Sequence, residues 1–170
     1  MILYHGGLQV VEAPRIIRSE IGRDFGFAFY ATNIREQAER WALRRKRAAL
    51  RNGLGSAKAV VSVFTFDETL ARRNLRFRDF SEVSMDWLDM VVACRSDVNF
   101  SHGFDLVTGK IANDNVGETI AYVLAGVMRK EDALERLRFQ QINNQFAFCT
   151  EAALSYLTFD SCCTIGGSDD

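Results

Sequence analysis

The chain has little proline, little histidine and no long apolar run. Pro14 is the only proline, and no segment repeats or falls to low complexity. Nothing therefore reads as a linker, and 170 residues are enough for one domain with a substantial core. Histidine is confined to His5 and His102, and Cys94, Cys149, Cys162 and Cys163 form no C-x-x-C pair. A zinc site has no ligand framework here, so no metal is expected. Adjacent cysteines rarely bridge each other, so reduced thiols and a cytoplasmic setting are the simplest reading of Cys162 and Cys163. No apolar stretch approaches the roughly 18 residues of a membrane helix, so no membrane partner is expected. Ile2-Leu3-Tyr4 is too short for a signal h-region and lacks a basic n-region. Net charge is only −1 but unevenly spread: residues 1–51 hold 10 basic and 5 acidic side chains, and the remainder is acidic. That asymmetry suits an anionic ligand or partner at the N-terminal part, without requiring nucleic acid.

What is present is an ordinary globular composition, 48% hydrophobic and 25% charged, with a single domain expected over residues 1–165 and a disordered tail at 166–170. Ile2 to His5 reads as a short strand ended by Gly6-Gly7. Residues 8–26 read as loop, with a short helix after Pro14. Phe27 to Thr32 reads as a strand. Asn33-Ile34-Arg35-Glu36 has the form of a capping box, with Asn33 accepting from the amide of Glu36, and the helix it opens runs to about Arg51. Ala59 to Phe66 is a β-branched and aromatic strand, and Leu75 to Phe80 a shorter one. Met85 to Arg95 spaces Trp87, Leu88, Val91 and Val92 for one helix face. Phe104–Thr108 and Gln145–Cys149 read as strands, Gly117–Arg129 and Glu131–Phe139 as helices. Glu151–Leu157 reads as a short helix, and a last strand ends near Ile165. Strands and helices mix without strict βαβ alternation, which predicts an α+β fold with a mainly antiparallel sheet.

One constellation narrows function. Tyr30 ends a predicted strand, Trp41 follows eleven residues later on a predicted helix, and His5-Gly6 closes the first strand. A strand and its following helix can hold two aromatic rings face to face, with a slot for a flat heterocycle such as nicotinamide. Cleaving the nicotinamide–ribose bond of NAD passes through an oxocarbenium-like state, as glycoside cleavage does. That chemistry needs a grip on the leaving ring, a side chain on the ribose hydroxyls, and close backbone for the carboxamide, which glycine permits. Taken singly these residues say less. Trp41 shares a helix face with Ile34, Ala38 and Ala49 and alone reads as core. Tyr30 alone reads as strand packing, and His5 reads equally as a satisfied buried histidine or a functional one. Their order and spacing together carry the functional reading.

These residues resemble the ADP-ribosyltransferase superfamily, in its diphtheria toxin and poly(ADP-ribose) polymerase-like branch. His5-Gly6 matches its first-strand His-Gly, Gly26-Phe27-Ala28-Phe29-Tyr30 loosely matches its Gly-x-x-Tyr strand, and Trp41 stands at its second aromatic. The likeness is greatest to a small bacterial toxin-like family filed as a domain of unknown function. Its members begin Leu-Tyr-His-Gly and carry Asp-Phe-Gly-x-x-Phe-Tyr, here Asp24 through Tyr30. Phe104-Asp105-Leu106-Val107 and Asn144 through Glu151 also look like it. The resemblance implies split antiparallel sheets flanked by helices, NAD as substrate and mono-ADP-ribosyl transfer. It also implies a protein or nucleic-acid acceptor and a small antitoxin protein as partner. It implies that His5 and Gly6 hold the adenosine ribose and the carboxamide, that Tyr30 and Trp41 sandwich nicotinamide, and that Gln145 orients the distal ribose.

Gln145 departs from the pattern: the superfamily has a glutamate there. An amide can hydrogen-bond a ribose hydroxyl but offers no negative charge. Polymer formation is the activity put in doubt first, and Glu151, six residues on, is a weak substitute. The competing expectation is a weak or inactive module on the same fold that binds NAD, ADP-ribose or a partner. The run Arg44-Arg45-Lys46-Arg47 reads as a solvated helix face before a nucleic-acid site. Cys94 with His102 could suggest a thiol nucleophile, but nothing in the sequence brings them together.

Overall fold

The computed structural model describes residues 1–18, 23–112, 114–138 and 142–166. Thirteen elements follow in order: β1 (Ile2–Gly7), β2 (Phe29–Ala31), α1 (Arg35–Arg51), β3 (Ala59–Phe66), α2 (Glu68–Asn74), β4 (Phe77–Phe80), α3 (Met85–Ser96), β5 (Leu106–Ala112), α4 (Asp114–Leu124), α5 (Lys130–Arg138), β6 (Ile142–Phe148), α6 (Glu151–Leu154) and β7 (Leu157–Ile165). The fold is α+β, as expected. Its strands form two sheets, an antiparallel one in the order β1-β3-β7 and a mixed one in the order β2-β6-β5-β4. The departure from antiparallel is β4 against β5, which run parallel. No helix among the described residues is long and apolar enough to cross a membrane.

Alternation along the strands decides how the sheets stack. Phe64 and Phe66 of β3, Leu3 of β1, Phe29 of β2, Leu106 of β5, and Phe146 and Phe148 of β6 form one buried cluster where the sheets face each other. The opposite face of the four-stranded sheet presents Val107 and Ala147 to Trp87, Leu88 and Val91 of α3, Ile120 of α4 and Leu137 of α5. On the outer face of the three-stranded sheet, Val61 and Ala59 pack under Ala38 and Ala42 of α1. Small residues let α1 lie close. A Cβ added at Gly6 would stand 2.1 Å from the Ala38 carbonyl oxygen, so β1 and α1 touch backbone to backbone there.

The sheets are joined at β1 and β2. Tyr4 N–H donates to the Thr32 oxygen at 2.7 Å and Thr32 N–H donates back to Tyr4 at 2.9 Å. Two polar pins hold the surrounding loops. Arg95 donates from Nε to Asp24 at 2.8 Å, tying the loop before β2 to α3. Arg76 grips both oxygens of Asp105 at 3.0 Å, fixing the entries to β4 and β5.

Three local expectations are corrected. Asn33 does not cap α1: the N-cap is Ile34, with no side-chain cap bond. The amide of Asn144 occupies the Asn33 oxygen at 3.1 Å, and the Thr32 hydroxyl accepts from the Ile34 amide at 3.1 Å. Residues 15–18 after Pro14 are not helical; the rest of that expected helix, residues 19–22, and the tail beyond Gly166 lie outside the described residues. Finally, α2 was not expected from the sequence, although Asp67 caps it by accepting from the Leu70 amide at 3.0 Å.

Candidate functional site around strand β2

Strand β2 is only three residues long and lies at the edge of its sheet, paired with β6 on one side. Its pairing places Tyr30 opposite Ala147 and Ala31 opposite Phe146. Cross-strand partners share a face and residues two apart share it too. Gln145 therefore lies on the Tyr30 and Ala147 side, one diagonal step from Tyr30. Phe146 and Phe148 turn the other way, into the core between the sheets. Among the described residues, two buried side-chain atoms lack a hydrogen-bond partner, Trp87 Nε1 and the Gln145 carbonyl oxygen. A buried acceptor left unmade is costly, on the order of 1–3 kcal/mol, and such an atom calls for a donor from elsewhere.

Tyr30 is half-buried. Its hydroxyl donates to the Gly26 carbonyl at 2.6 Å and accepts from the Phe25 amide at 3.3 Å. Gly26 has φ of 73°, a backbone that only glycine adopts without strain, so the turn that receives the hydroxyl depends on that residue. Burial, with Asp24 and Cys149 nearby, holds the Tyr30 phenol well above its ordinary value. Tyr30 thus stays neutral and offers a fixed ring, with the Arg23 guanidinium 5.8 Å from its centroid.

His5 stands on the other side of β2. Its Nδ1 bonds the Tyr30 carbonyl at 2.7 Å, so Nδ1 carries the proton in the neutral ring, and Nε2 is left as an acceptor. Its ring stacks on Phe29 at 4.6 Å between centroids. Burial lowers its pKa, and Arg45 and Arg23 push it the same way, so His5 is neutral near pH 7. Beside His5 and Phe29 opens a cavity of about 310 Å³, with Val10, Val11 and Ile17 for apolar walls and Gln9, Glu12 and Arg15 for polar ones.

Trp41 is 42% exposed, which departs from the core role its apolar helix face could have implied. The Arg44 guanidinium lies 5.9 Å from the Trp41 centroid. Trp41 and Tyr30 make no direct ring contact among the described residues. At ~100° per residue, Trp41 lies about 60° round α1 from Ala38 and Arg45 about 20°, on the same flank. Gly6 is fully turned against α1, so its close approach serves helix packing first.

The structure therefore brings Tyr30 and Gln145 to one face of β2 and reaches His5 through the Tyr30 carbonyl. Glu151 does not join them: it is exposed in the first turn of α6, which Thr150 caps. His102 meets Cys149, not Cys94, with Nε2 at 3.8 Å from Sγ. Its Nδ1 accepts from the Phe104 amide at 3.1 Å, leaving Nε2 to bond the Phe25 carbonyl at 3.2 Å. Burial pushes the thiols of Cys149 and Cys94 up to about 12, so neither is a nucleophile near neutral pH. Sequence reasoning missed Arg23 and Arg45 as neighbours of His5. The four-residue basic run contains Arg45, which is exposed on α1.

The chain matches the family described as protein of unknown function (DUF3990) over residues 1–159, and it belongs to that family. Neither a search of curated proteins nor one of solved structures found a match.

Proposed function

We propose that the protein is a mono-ADP-ribosyltransferase that takes NAD as substrate, with strand β2 as the ridge over which the dinucleotide lies. The observation that carries the reading is the unpartnered, buried oxygen of Gln145, one diagonal step from the Tyr30 ring. A ribose hydroxyl is a donor of the right kind for it. On this side the nicotinamide would stack on Tyr30, whose ring also packs against the cluster of α3, α4 and α5. On the other side Nε2 of His5 would accept from an adenosine ribose hydroxyl, and the cavity beside Phe29 would take the base. Its volume of about 310 Å³ is at the small end of ligand sites. An ADP-ribosyltransferase-like arrangement of split sheets is part of this proposal.

The reaction breaks the bond between C1′ and the nicotinamide nitrogen, whose electron pair leaves with nicotinamide. The acceptor nucleophile adds to C1′ and gives up its proton. Tyr30, fixed by two hydrogen bonds, holds the leaving ring, and Gln145 orients the ribose. Without a carboxylate there, the cationic transition state lacks one stabilising group. A single preorganised group of that kind is worth ~10²–10³ in rate, so turnover is slow and single units are transferred. A bacterial toxin module with a small antitoxin partner, acting in the cytoplasm on a protein or nucleic-acid acceptor, is the setting this reading entails.

The amide at Gln145 also favours a second reading, a weak or inactive module that binds NAD or ADP-ribose on the same fold. Nicotinamide release from NAD, measured with and without cell extract, separates the two. Release that extract stimulates supports the transferase. Binding of NAD without release under any acceptor condition supports the binding module, and no binding refutes both.

A further inference from the structure

We infer that the Tyr30 ring is a seat for a planar cation, which Arg23 fills and which the pyridinium ring of oxidised nicotinamide takes over. The inference rests on the proposed NAD site and adds a residue and a charge preference to it. The Tyr30 hydroxyl fixes the ring, donating to the Gly26 carbonyl at 2.6 Å and accepting from the Phe25 amide at 3.3 Å. The same turn carries Arg23, because the Gly26 amide donates to the Arg23 carbonyl at 3.1 Å. Ring and guanidinium are therefore placed by one turn, Arg23 to Gly26. The ring packs against the cluster of α3, α4 and α5. Over the ring surface that this cluster leaves, the Arg23 guanidinium lies 5.8 Å from the centroid. Asp24, the adjacent carboxylate, is already bound by Arg95 at 2.8 Å.

The face of a tyrosine ring is negative and attracts a cation, and a flat cation also stacks on it. Guanidinium and pyridinium are both flat and both positive, so one replaces the other without exposing the ring. At 5.8 Å the guanidinium stands near the ~6 Å limit of such contacts. It is a weak occupant, and a ring stacked more closely displaces it. Cleavage of the bond to C1′ leaves the electron pair on the ring nitrogen, so the nicotinamide released is neutral. It then has no charge to hold it against Arg23, which returns to the seat and favours release. Reduction has the same effect, because the dihydropyridine ring of NADH is neutral. The seat therefore selects oxidised over reduced dinucleotide and substrate over product.

Calorimetric titrations of wild type and Arg23→Ala with NAD, NADH and ADP-ribose test the seat, with thermal melts to show both proteins folded. Arg23→Gln, of similar reach but uncharged, repeats the test if alanine unsettles the turn. Removing the competing guanidinium should tighten NAD binding about two- to fivefold, the equivalent of ~0.5–1 kcal/mol. ADP-ribose has the diphosphate but no pyridinium and should bind both proteins equally. NAD should bind at least about twofold more tightly than NADH in both. Weaker binding of NAD and ADP-ribose by Arg23→Ala would overturn the seat and assign Arg23 to the phosphates. NAD affinity unchanged by the substitution, or NADH bound as tightly as NAD, would overturn it as well. An NMR titration with 1-methylnicotinamide, a pyridinium without the nucleotide, tests the seat even if no dinucleotide binds. Larger shifts at the Tyr30 ring in Arg23→Ala than in wild type support it, and no shift in either protein overturns it. If NAD is bound and cleaved but Arg23→Ala behaves as wild type, the seat alone falls. If 1-methylnicotinamide binds at Tyr30 but NAD does not bind, the transferase reading alone falls.

Discussion

Gly6→Ala is the perturbation with the clearest structural magnitude. An alanine Cβ at that position would stand 2.1 Å from the Ala38 carbonyl oxygen, 3.0 Å from its carbon and 3.1 Å from the Ala42 nitrogen. Ordinary van der Waals contact begins near 3.4 Å, so α1 must retreat by roughly 1 Å along its second turn or β1 must bend, an overpacking change of the kind that costs about 1–3 kcal/mol. For a domain of this size each kcal/mol lowers Tm by ~2–4 °C. Because α1 carries Trp41 and Arg45, a displacement of that size also misplaces both relative to Tyr30 and His5, and a ~1 Å error in a site can cost ~10²-fold in rate. Thermal melts followed by circular dichroism, with NAD affinity measured on the same samples, read both effects. The obstructing atoms belong to the backbone of α1, so adding Ala38→Gly should not restore either quantity. A Gly6→Ala protein with wild-type Tm and NAD affinity, or full rescue by Ala38→Gly, would refute the argument that backbone contact between β1 and α1 sets the site.

Tyr30→Phe should lower Tm, because it removes the donor to Gly26 and leaves a buried carbonyl unmade, on the order of 1–3 kcal/mol, yet keep most NAD affinity; loss of affinity with unchanged Tm would assign the hydroxyl to the ligand. His5 should titrate in an NMR pH series with its midpoint below 6.5, since burial and two arginines disfavour the cation. The unfolded chain then binds more protons in that range, so this residue's contribution to stability is full above pH 6.5 and declines as pH falls through the folded value; a midpoint above 6.5 contradicts the geometry. Asp105 is held down to about 2 by Arg76. Its contribution is full above an ordinary pH 4 and lost as pH falls through about 2, and Arg76→Met should remove most of that acid sensitivity in urea melts. NAD should quench the fluorescence of exposed Trp41 while fully buried Trp87 stays silent, and Trp41→Phe should abolish the quenching.

Where local chemistry rules, the sequence was legible. Strand β3 was read to the residue from its β-branched and aromatic run, and α3 from the spacing of Trp87, Leu88 and Val91. Where distant groups compete, it was not. Asn33 has the chemistry of a helix cap, but Asn144, 111 residues later, takes its oxygen. Cys149 meets His102 only because β6 and the loop before β5 converge, and no spacing records that. The parallel pairing of β4 with β5 is likewise a matter of tertiary arrangement. Helix α2 was legible in principle, since Asp67-Glu68-Thr69 is a start signal, but seven residues give little periodicity. Trp41, ambiguous between core and site, is resolved toward solvent because Ala38, Ala42 and Ala49 already fill the face of α1 that meets the sheet.

The proposed function stands or falls on whether NAD lies over β2 with its ribose at Gln145. The most direct measurement is an NMR titration of the protein with NAD that follows the side-chain amide of Gln145, the indole N–H of Trp41 and the ring of His5. All three signals should shift together with one dissociation constant, and Gln145→Ala should weaken binding while leaving the fold intact. Saturating NAD that moves none of these signals, or moves only residues remote from β2, would contradict it.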